Sequence, residues 1–390
     1  MTETYRKKIL LLTLVHPDFL PPVYAIGQVL RDLEYDVHIL TFDSYMPAEL
    51  DLGSGIVVES IGKHHGVGLR ERLKLRGKFT KRAKQLANEN PVAIISFCAF
   101  TLLCGLEIKG KTPFIYHAIE VADFILPLVL RSPLSHFNNL LALKRLHKAD
   151  LVATPSVQRS AWLAGRCHLD FMPHTILNTA YLPAKQEDSS YDIFKKIVPA
   201  GFLDKKVILY TGAVNSHLCT MELVQAFDIA NDEGSALIIT GIKDNPYCND
   251  IKAFVEKSRS VQRIKLLPYV TRSEMLALQA NADIGVCLAK EYDDNVESKM
   301  MAPNKVGEYL ANGLYLLGIK NEYLLPFKMK GIASLAVSVM PADICVAIKE
   351  ALNAVDNKEY KIIIGDFVKD YFCMQQQAKP VVAYLEKIQQ

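Results

Sequence analysis

Lys206-Val-Ile-Leu-Tyr-Thr-Gly212, then Met221-Glu-Leu-Val-Gln-Ala-Phe-Asp-Ile-Ala-Asn231, then Ala236-Leu-Ile-Ile-Thr-Gly241 is the stretch that decides the fold. A short apolar run ending in glycine reads as a strand buried on both faces. The middle segment places Leu223, Val224, Ala226, Phe227 and Ala230 at helical spacing, and a second apolar run ending in glycine follows. Strand, helix, strand with no hairpin turn is a parallel crossover unit.

The same alternation continues toward the C-terminus. Strands are expected at Ile264–Leu267, Asp283–Leu288 and Tyr315–Ile319, and helices at Pro303–Ala311, Ala342–Val355 and Lys358–Lys387, the last interrupted at Pro380. Toward the N-terminus, strands are expected at Lys8–Leu14, Asp36–Thr41, Ile56–Ser60, Val92–Phe97, Pro113–His117 and Leu151–Thr154. Helices fall at Val23–Glu34, Leu69–Asn88, Ile119–Leu130, His136–Lys148 and Val157–Gly165. Between the halves, Leu177–Lys205 lacks periodicity and holds Pro183, Pro199 and Gly201, the composition of a linker. The reading is α/β, with two doubly wound, Rossmann-like domains facing across a cleft. Its bounds are 1–180, a linker at 181–205, 206–357, and a C-terminal helix at 358–390 that can return to the first domain. Ligands of such sheets bind beyond the carboxyl ends of the strands.

Composition agrees with this. The chain has 390 residues, of which 50% are hydrophobic and 22% charged, enough for two packed cores and unlike a disordered or collagenous chain. Its formal charge of +3 is not that of a nucleic-acid coat protein. No apolar run reaches the ~18 residues of a membrane span. The run Ile9–Val15 ends in His16-Pro17-Asp18 without a cleavage site, so a buried strand is expected rather than a signal peptide. The eight cysteines form no C-x-x-C, which fits reduced core residues of a cytoplasmic protein and no metal site.

The segment richest in chemistry is Ser298-Lys-Met-Met-Ala-Pro-Asn-Lys-Val-Gly-Glu-Tyr-Leu-Ala-Asn-Gly313. Pro303 suits a first helical turn and Gly313 a helix stop. Free amides at such a start, with Lys299 and Lys305 nearby, suit a diphosphate. Glu308, about one turn further in, could accept from both ribose hydroxyls. On its own, the segment reads equally as an ordinary amphipathic helix with surface charges.

This segment resembles the nucleotide-binding motif of family 4 glycosyltransferases and their relatives with the GT-B fold, in which a P-N-K-x-x-E-Y-L-A-x-G stretch precedes a strand. Leu267-Pro-Tyr-Val270 and Met275–Asp283 are similar to the run before that motif, so the resemblance covers most of Val207–Leu352. In the N-terminal half it rests on strand order and on Tyr116-His117-Ala-Ile-Glu120. The resemblance implies that Glu308 takes the ribose of a UDP- or GDP-linked sugar. Asn304, Lys305, Lys299 and Gly212 then surround the diphosphate, and Tyr269 and Val270 face the base. It also implies that His117 lies beside the donor sugar, with Lys305 as its catalytic counterpart at the leaving group, and that Glu120 and His16 lie on the acceptor side. A lone histidine at a strand end is as readily a hydrogen-bonded loop residue. No metal or other cofactor is implied.

Two departures from the family stand out. Ala213 and Leu218 occupy positions where the family usually carries its phosphate-binding Arg and Lys, and Met300 stands eight residues before Glu308 where a second acid is usual. Either Lys299, Lys305 and His217 supply the missing charge, or the donor site is weakened. His16-Pro-Asp-Phe-Leu-Pro-Pro22 also replaces a glycine-rich turn.

Other features read more plainly. Asp293-Asp294 sits in an acidic loop without the strand context of a metal pair, and His64-His65 lacks a third ligand. Lys63–Lys84 holds nine basic residues against one acid, Glu71, with Leu69, Leu73, Leu75 and Phe79 interleaved. It reads either as a solvated helix face or as a helix held to an anionic membrane surface. No stacking platform for nucleic acid accompanies it. The expected activity is transfer of a sugar from a nucleoside diphosphate donor to a glycan or glycolipid hydroxyl, retaining and metal-independent. The alternatives are a sugar-nucleotide epimerase of the same fold and a non-catalytic scaffold.

Overall fold

The structure is a computed structural model that describes residues 6–43, 53–64, 66–120, 133–182, 190–290 and 300–390. The chain forms two compact units. One comprises Met1–Tyr181, Asp293–Ala302 and Met374–Gln390, the other Leu182–Tyr292 and Pro303–Cys373.

The first unit is a parallel sheet of β1 (Lys8–Leu12), β2 (Asp36–Thr41), β3 (Ile56–Ser60), β4 (Ala93–Ser96), β5 (Phe114–His117), β6 (Leu151–Thr154) and β7 (His174–Thr175). The order among the described residues is β3-β2-β1-β4-β5-β6-β7. Ile9 of β1 lies across from Val37 on one side and Ala93 on the other, so the strand order reverses there. Alternate residues of β1 feed opposite cores, because side chains alternate across a strand. Ile9 and Leu11 pack with Val23, Ile26 and Leu30 of helix Pro21–Asp32 and with Val381 and Leu385 of helix Lys379–Lys387. Leu10 and Leu12 pack with Leu75 and Phe79 of helix Leu69–Ala87 and Leu102 of helix Ala99–Ile108. Trp162, the one tryptophan, extends this second core from helix Val157–Cys167.

The second unit repeats the plan with β8 (Lys206–Tyr210), β9 (Ser235–Ile239), β10 (Ile264–Leu266), β11 (Ile284–Cys287), β12 (Tyr315–Ile319) and β13 (Ala333–Ala336), in the order β10-β9-β8-β11-β12-β13. Ile208 of β8 pairs with Leu237 and with Ile284, again at the reversal. Here the glycines that end β8 and β9 meet. Gly212 and Gly241 have φ of +115° and +90°, and a Cβ on Gly241 would overlap the Gly212 carbonyl oxygen. Only glycine meets both demands, left-handed backbone and close approach.

The stretch read as a linker contains helix Ser190–Ile197, which packs on helix Arg272–Ala280. Helix Ala99–Ile108 escapes the sequence pattern because it is apolar nearly all round. The helix expected at Ile119–Leu130 lies largely outside the described residues, which resume at Pro133. Among the described residues, no helix is long and apolar enough to cross a membrane.

Candidate functional site

The site-forming end of the second sheet is built by the loops after β8 and β9 and by helix Asn304–Ala311. The helix begins one residue later than the sequence reading placed it, with Pro303 outside the first turn as a cap that offers no side-chain hydrogen bond. The first amides of a helix have no carbonyl inside it to bond. Gly313, at φ +73°, closes the helix as expected.

Lys305 lies at this helix start. Its ammonium nitrogen sits 4.0 Å from the ring centroid of Tyr210, the last residue of β8, and it is enclosed without a hydrogen-bond partner. The stem is part-exposed, so the side chain as a whole is not sealed although Nζ is. A Cβ on Gly212 would come to 3.8 Å from that nitrogen, an ordinary contact, so the glycine stands directly beside the ammonium. Burial pushes the Lys305 pKa down to about 8. The side-chain oxygen of neighbouring Asn304 is likewise enclosed and unpartnered. Buried polar groups normally find partners. A cation over an aromatic face, an amide and free backbone N–H groups together form a receptor for an anion.

The helix is held in place by Tyr309. Its hydroxyl lies 2.9 Å from both the backbone nitrogen and the hydroxyl of Thr211, and its ring packs directly over Gly285 of β11, where any Cβ would collide.

Glu308 is 7% exposed and not free. Arg272 Nη1 stands 2.5 Å from its Oε1, and Gln279 Nε2 donates to its Oε2 at 3.3 Å. The Arg272 contact is an ion pair rather than an aligned hydrogen bond, since neither atom finds a partner of good geometry. Thr271 and Glu274 form a reciprocal cap that fixes the start of the Arg272 helix. The sequence reading missed Arg272 and Gln279, because neither lies in the motif and no periodicity links them to Glu308.

Tyr269 is exposed, and Lys243 Nζ lies 4.8 Å from its ring centroid. Val270 is half-buried beside it. This loop is tied to the loop after β9 by Gly241 and Ile242, whose backbone N–H groups donate to Pro268 and Leu267. An aromatic face with a lysine beside it can stack a base, and Lys243 was not foreseen. His217 does not provide the missing charge. Burial and the nearby Lys290 hold its pKa below the ordinary histidine value, so it is neutral near pH 7. Lys290 is itself paired with Glu222 at 2.7 Å. Lys299 and the Asp293-Asp294 pair lie outside the described residues.

In the first unit, His117 ends β5 but is only 1% exposed. It packs against Phe97, and burial pushes its pKa down to about 4. It is a neutral core group here. His16 is also buried and accepts a hydrogen bond from the Asp18 N–H, capping the turn Pro17–Phe19. Glu120 is exposed beyond β5. A pocket of about 380 Å³ lined by Val29, Leu33, Val382 and Ala383 lies at the C-terminal end of helix Pro21–Asp32. That is the opposite edge of the sheet from the carboxyl ends of the strands, so it is set apart from the chemistry. Among the described residues, no group of three His, Cys, Asp or Glu could hold a metal.

Two doubly wound parallel sheets in one chain, each reversing order at its first strand, define the GT-B class of fold. Solved structures similar over the whole chain agree. Sucrose-phosphate synthase from Thermosynechococcus elongatus is 15% identical, with a TM-score of 0.69 over 98% of this chain and 99% of that one. HepE of Anabaena, solved with UDP and glucose, is 14% identical, with a TM-score of 0.65 over 98% and 100%. A putative UDP-N-acetylglucosamine 2-epimerase from Listeria monocytogenes is 13% identical, with a TM-score of 0.60 over 98% and 96%. No family model and no curated protein matches the sequence.

Proposed function

We propose that the protein is a glycosyltransferase of the family 4 type that moves a sugar from a nucleoside diphosphate donor to a hydroxyl acceptor with retention. The observation that carries this reading is the enclosed, unpartnered Lys305 ammonium beside Gly212 at the start of helix Asn304–Ala311. When the sugar leaves, charge develops on the diphosphate. A fixed cation and helix amides aimed at that position lower the barrier without a metal. Lys305 takes over the work of the absent Arg and Lys, and Asn304 completes the cradle. Tyr269 and Val270 receive the base, with Lys243 at the ring. UDP is favoured over GDP because HepE, which shares the fold, was solved with UDP.

Glu308 serves the ribose from the far side of the Arg272 pair. Glu120 is placed for the acceptor, whereas the burial of His117 and His16 counts against direct contact in this conformation. The basic face of helix Leu69–Ala87, with Leu69 and Leu73 exposed, fits an acceptor presented at an anionic membrane surface in the cytoplasm.

The test is calorimetric titration with UDP, GDP, ADP and CMP. Base-selective binding of one diphosphate supports the reading, and no binding at millimolar concentration sinks it in favour of a scaffold. The resemblance to the Listeria epimerase favours a second reading, which turnover of a sugar nucleotide without any acceptor would establish.

A further inference from the structure

Helix Leu69–Ala87 carries two arginines, Arg72 and Arg76, whose surroundings set them apart from its other basic residues. Arg82, further along, is fully engaged, with Nε and Nη2 donating to the Glu59 carboxylate at 2.6 and 2.9 Å. Arg70, Lys74, Lys78, Lys81 and Lys84 point to solvent. Arg72 and Arg76, one helical turn apart, are half-buried. The Nε of each is enclosed and has no hydrogen-bond partner. Arg76 is fixed in place, with its guanidinium 4.8 Å from the Phe100 ring centroid, and Phe100 in turn packs edge-on against Phe79.

Burial and the adjacent charge of Arg72 hold the Arg76 pKa below its ordinary value. The two cations therefore sit within electrostatic reach of each other, and neither forms an ion pair among the described residues. Their location is also telling. Arg76 lies over Phe100, which stands in the first turn of helix Ala99–Ile108 just after β4. This is the carboxyl edge of the first sheet, next to its reversal point, where doubly wound folds take ligands.

Two part-buried guanidinium groups within electrostatic reach of each other repel, and one carboxylate would satisfy only one fork. A phosphomonoester carries close to two negative charges and three acceptor oxygens, enough for both. We propose that Arg72 and Arg76 form a phosphate-binding subsite in the first unit, and that it receives the phosphate of a phosphorylated acceptor. The word acceptor rests on the glycosyltransferase reading. The phosphate subsite does not. The phosphate can belong to a soluble sugar phosphate or to a lipid headgroup.

The full-length protein is titrated with glucose 6-phosphate and with glucose, and sedimented with phosphatidylcholine vesicles with and without phosphatidic acid. The same is done for Arg72→Gln, Arg76→Gln, Arg76→Lys and the control Lys257→Gln, an exposed lysine of the second unit. UDP is titrated into each variant, and each is checked for an unchanged melting temperature. The expected result is a preference of at least ~tenfold for the phosphate-bearing form of one ligand, lost by ~tenfold or more in either Gln variant. Arg76→Lys should lose part of it, and Lys257→Gln none. Dependence with glucose 6-phosphate assigns a soluble acceptor, and dependence with vesicles alone assigns a lipid phosphate. Equal binding of phosphorylated and neutral ligands, undiminished binding in the Gln variants, or an equal loss in Lys257→Gln overturns the subsite. Failure of UDP to bind, with arginine-dependent phosphate binding intact, removes the glycosyltransferase reading and leaves the subsite standing.

Discussion

Replacing Lys305 with methionine keeps the unbranched chain that crosses Tyr210 and removes only the ammonium. That ammonium is enclosed and unpaired, and burial lowers its pKa from 10.5 to about 8. A shift of that size corresponds to roughly 3 kcal/mol by which the fold disfavours the charged form. Lys305→Met should therefore raise the melting temperature, by at least ~2 °C for a unit of this size. The same change should weaken UDP binding by the cost of losing one partner of a buried charge pair. At about 2–5 kcal/mol, that is a factor of roughly 30 to several thousand. A more stable fold with a weaker ligand is the signature to look for.

The pH dependence adds a second sign. The folded pKa of Lys305 lies below its unfolded value, so the destabilisation is present in full below about pH 8 and is relieved as pH rises toward 10.5. The protonated fraction of Lys305 falls from about nine-tenths at pH 7 to about one-tenth at pH 9, so affinity for an already ionised diphosphate should drop by about tenfold over that interval. In Lys305→Met it should stay flat. Calorimetry with UDP across pH, together with scanning fluorimetry, reads both effects. A methionine variant that binds UDP within twofold of the parent, or melts lower, would refute the reasoning.

Three further outcomes follow from the same geometry. Glu308→Ala strands Arg272 in a buried position and should cost about 3–5 kcal/mol, most of it restored by adding Arg272→Leu, as urea titration of the double-mutant cycle would show. Gly241→Ala forces a Cβ onto the Gly212 carbonyl at an unfavourable backbone angle, so it should both destabilise the second unit and weaken UDP binding, measured by melting and calorimetry. His117 should show no imidazole titration between about pH 5 and 8 by NMR. Its folded pKa of about 4 lies below the unfolded 6.5, so its contribution to stability is complete above 6.5 and is lost as pH falls toward 4.

Much of the fold was legible because buried parallel strands are written as short apolar runs with glycine or a polar residue at their ends, as in Lys206–Gly212 and Ala236–Gly241. Elements that break that rule were not legible. Helix Ala99–Ile108 has no polar face to give a period, and β7 and β13 are too short or too small in their side chains to register. In the candidate site, Asn304, Lys305 and Glu308 could be named because a helix start and a motif place them together. The state of each could not. That Lys305 is unpaired over Tyr210 while Glu308 is already held by Arg272 depends on which strands and helices become neighbours, which local sequence does not encode. His117 shows the same limit, since a strand end specifies where a side chain begins but not what covers it.

Trp162 gives the molecule an unusual optical property. With one indole in the chain, packed against the first unit's core, emission excited beyond the tyrosine band reports on half of the protein. Loss of the first sheet is visible in that signal. The second sheet has no indole of its own to report on it. The second unit is followed directly by an indole introduced there, and the two tryptophan-detected denaturation curves can then be compared.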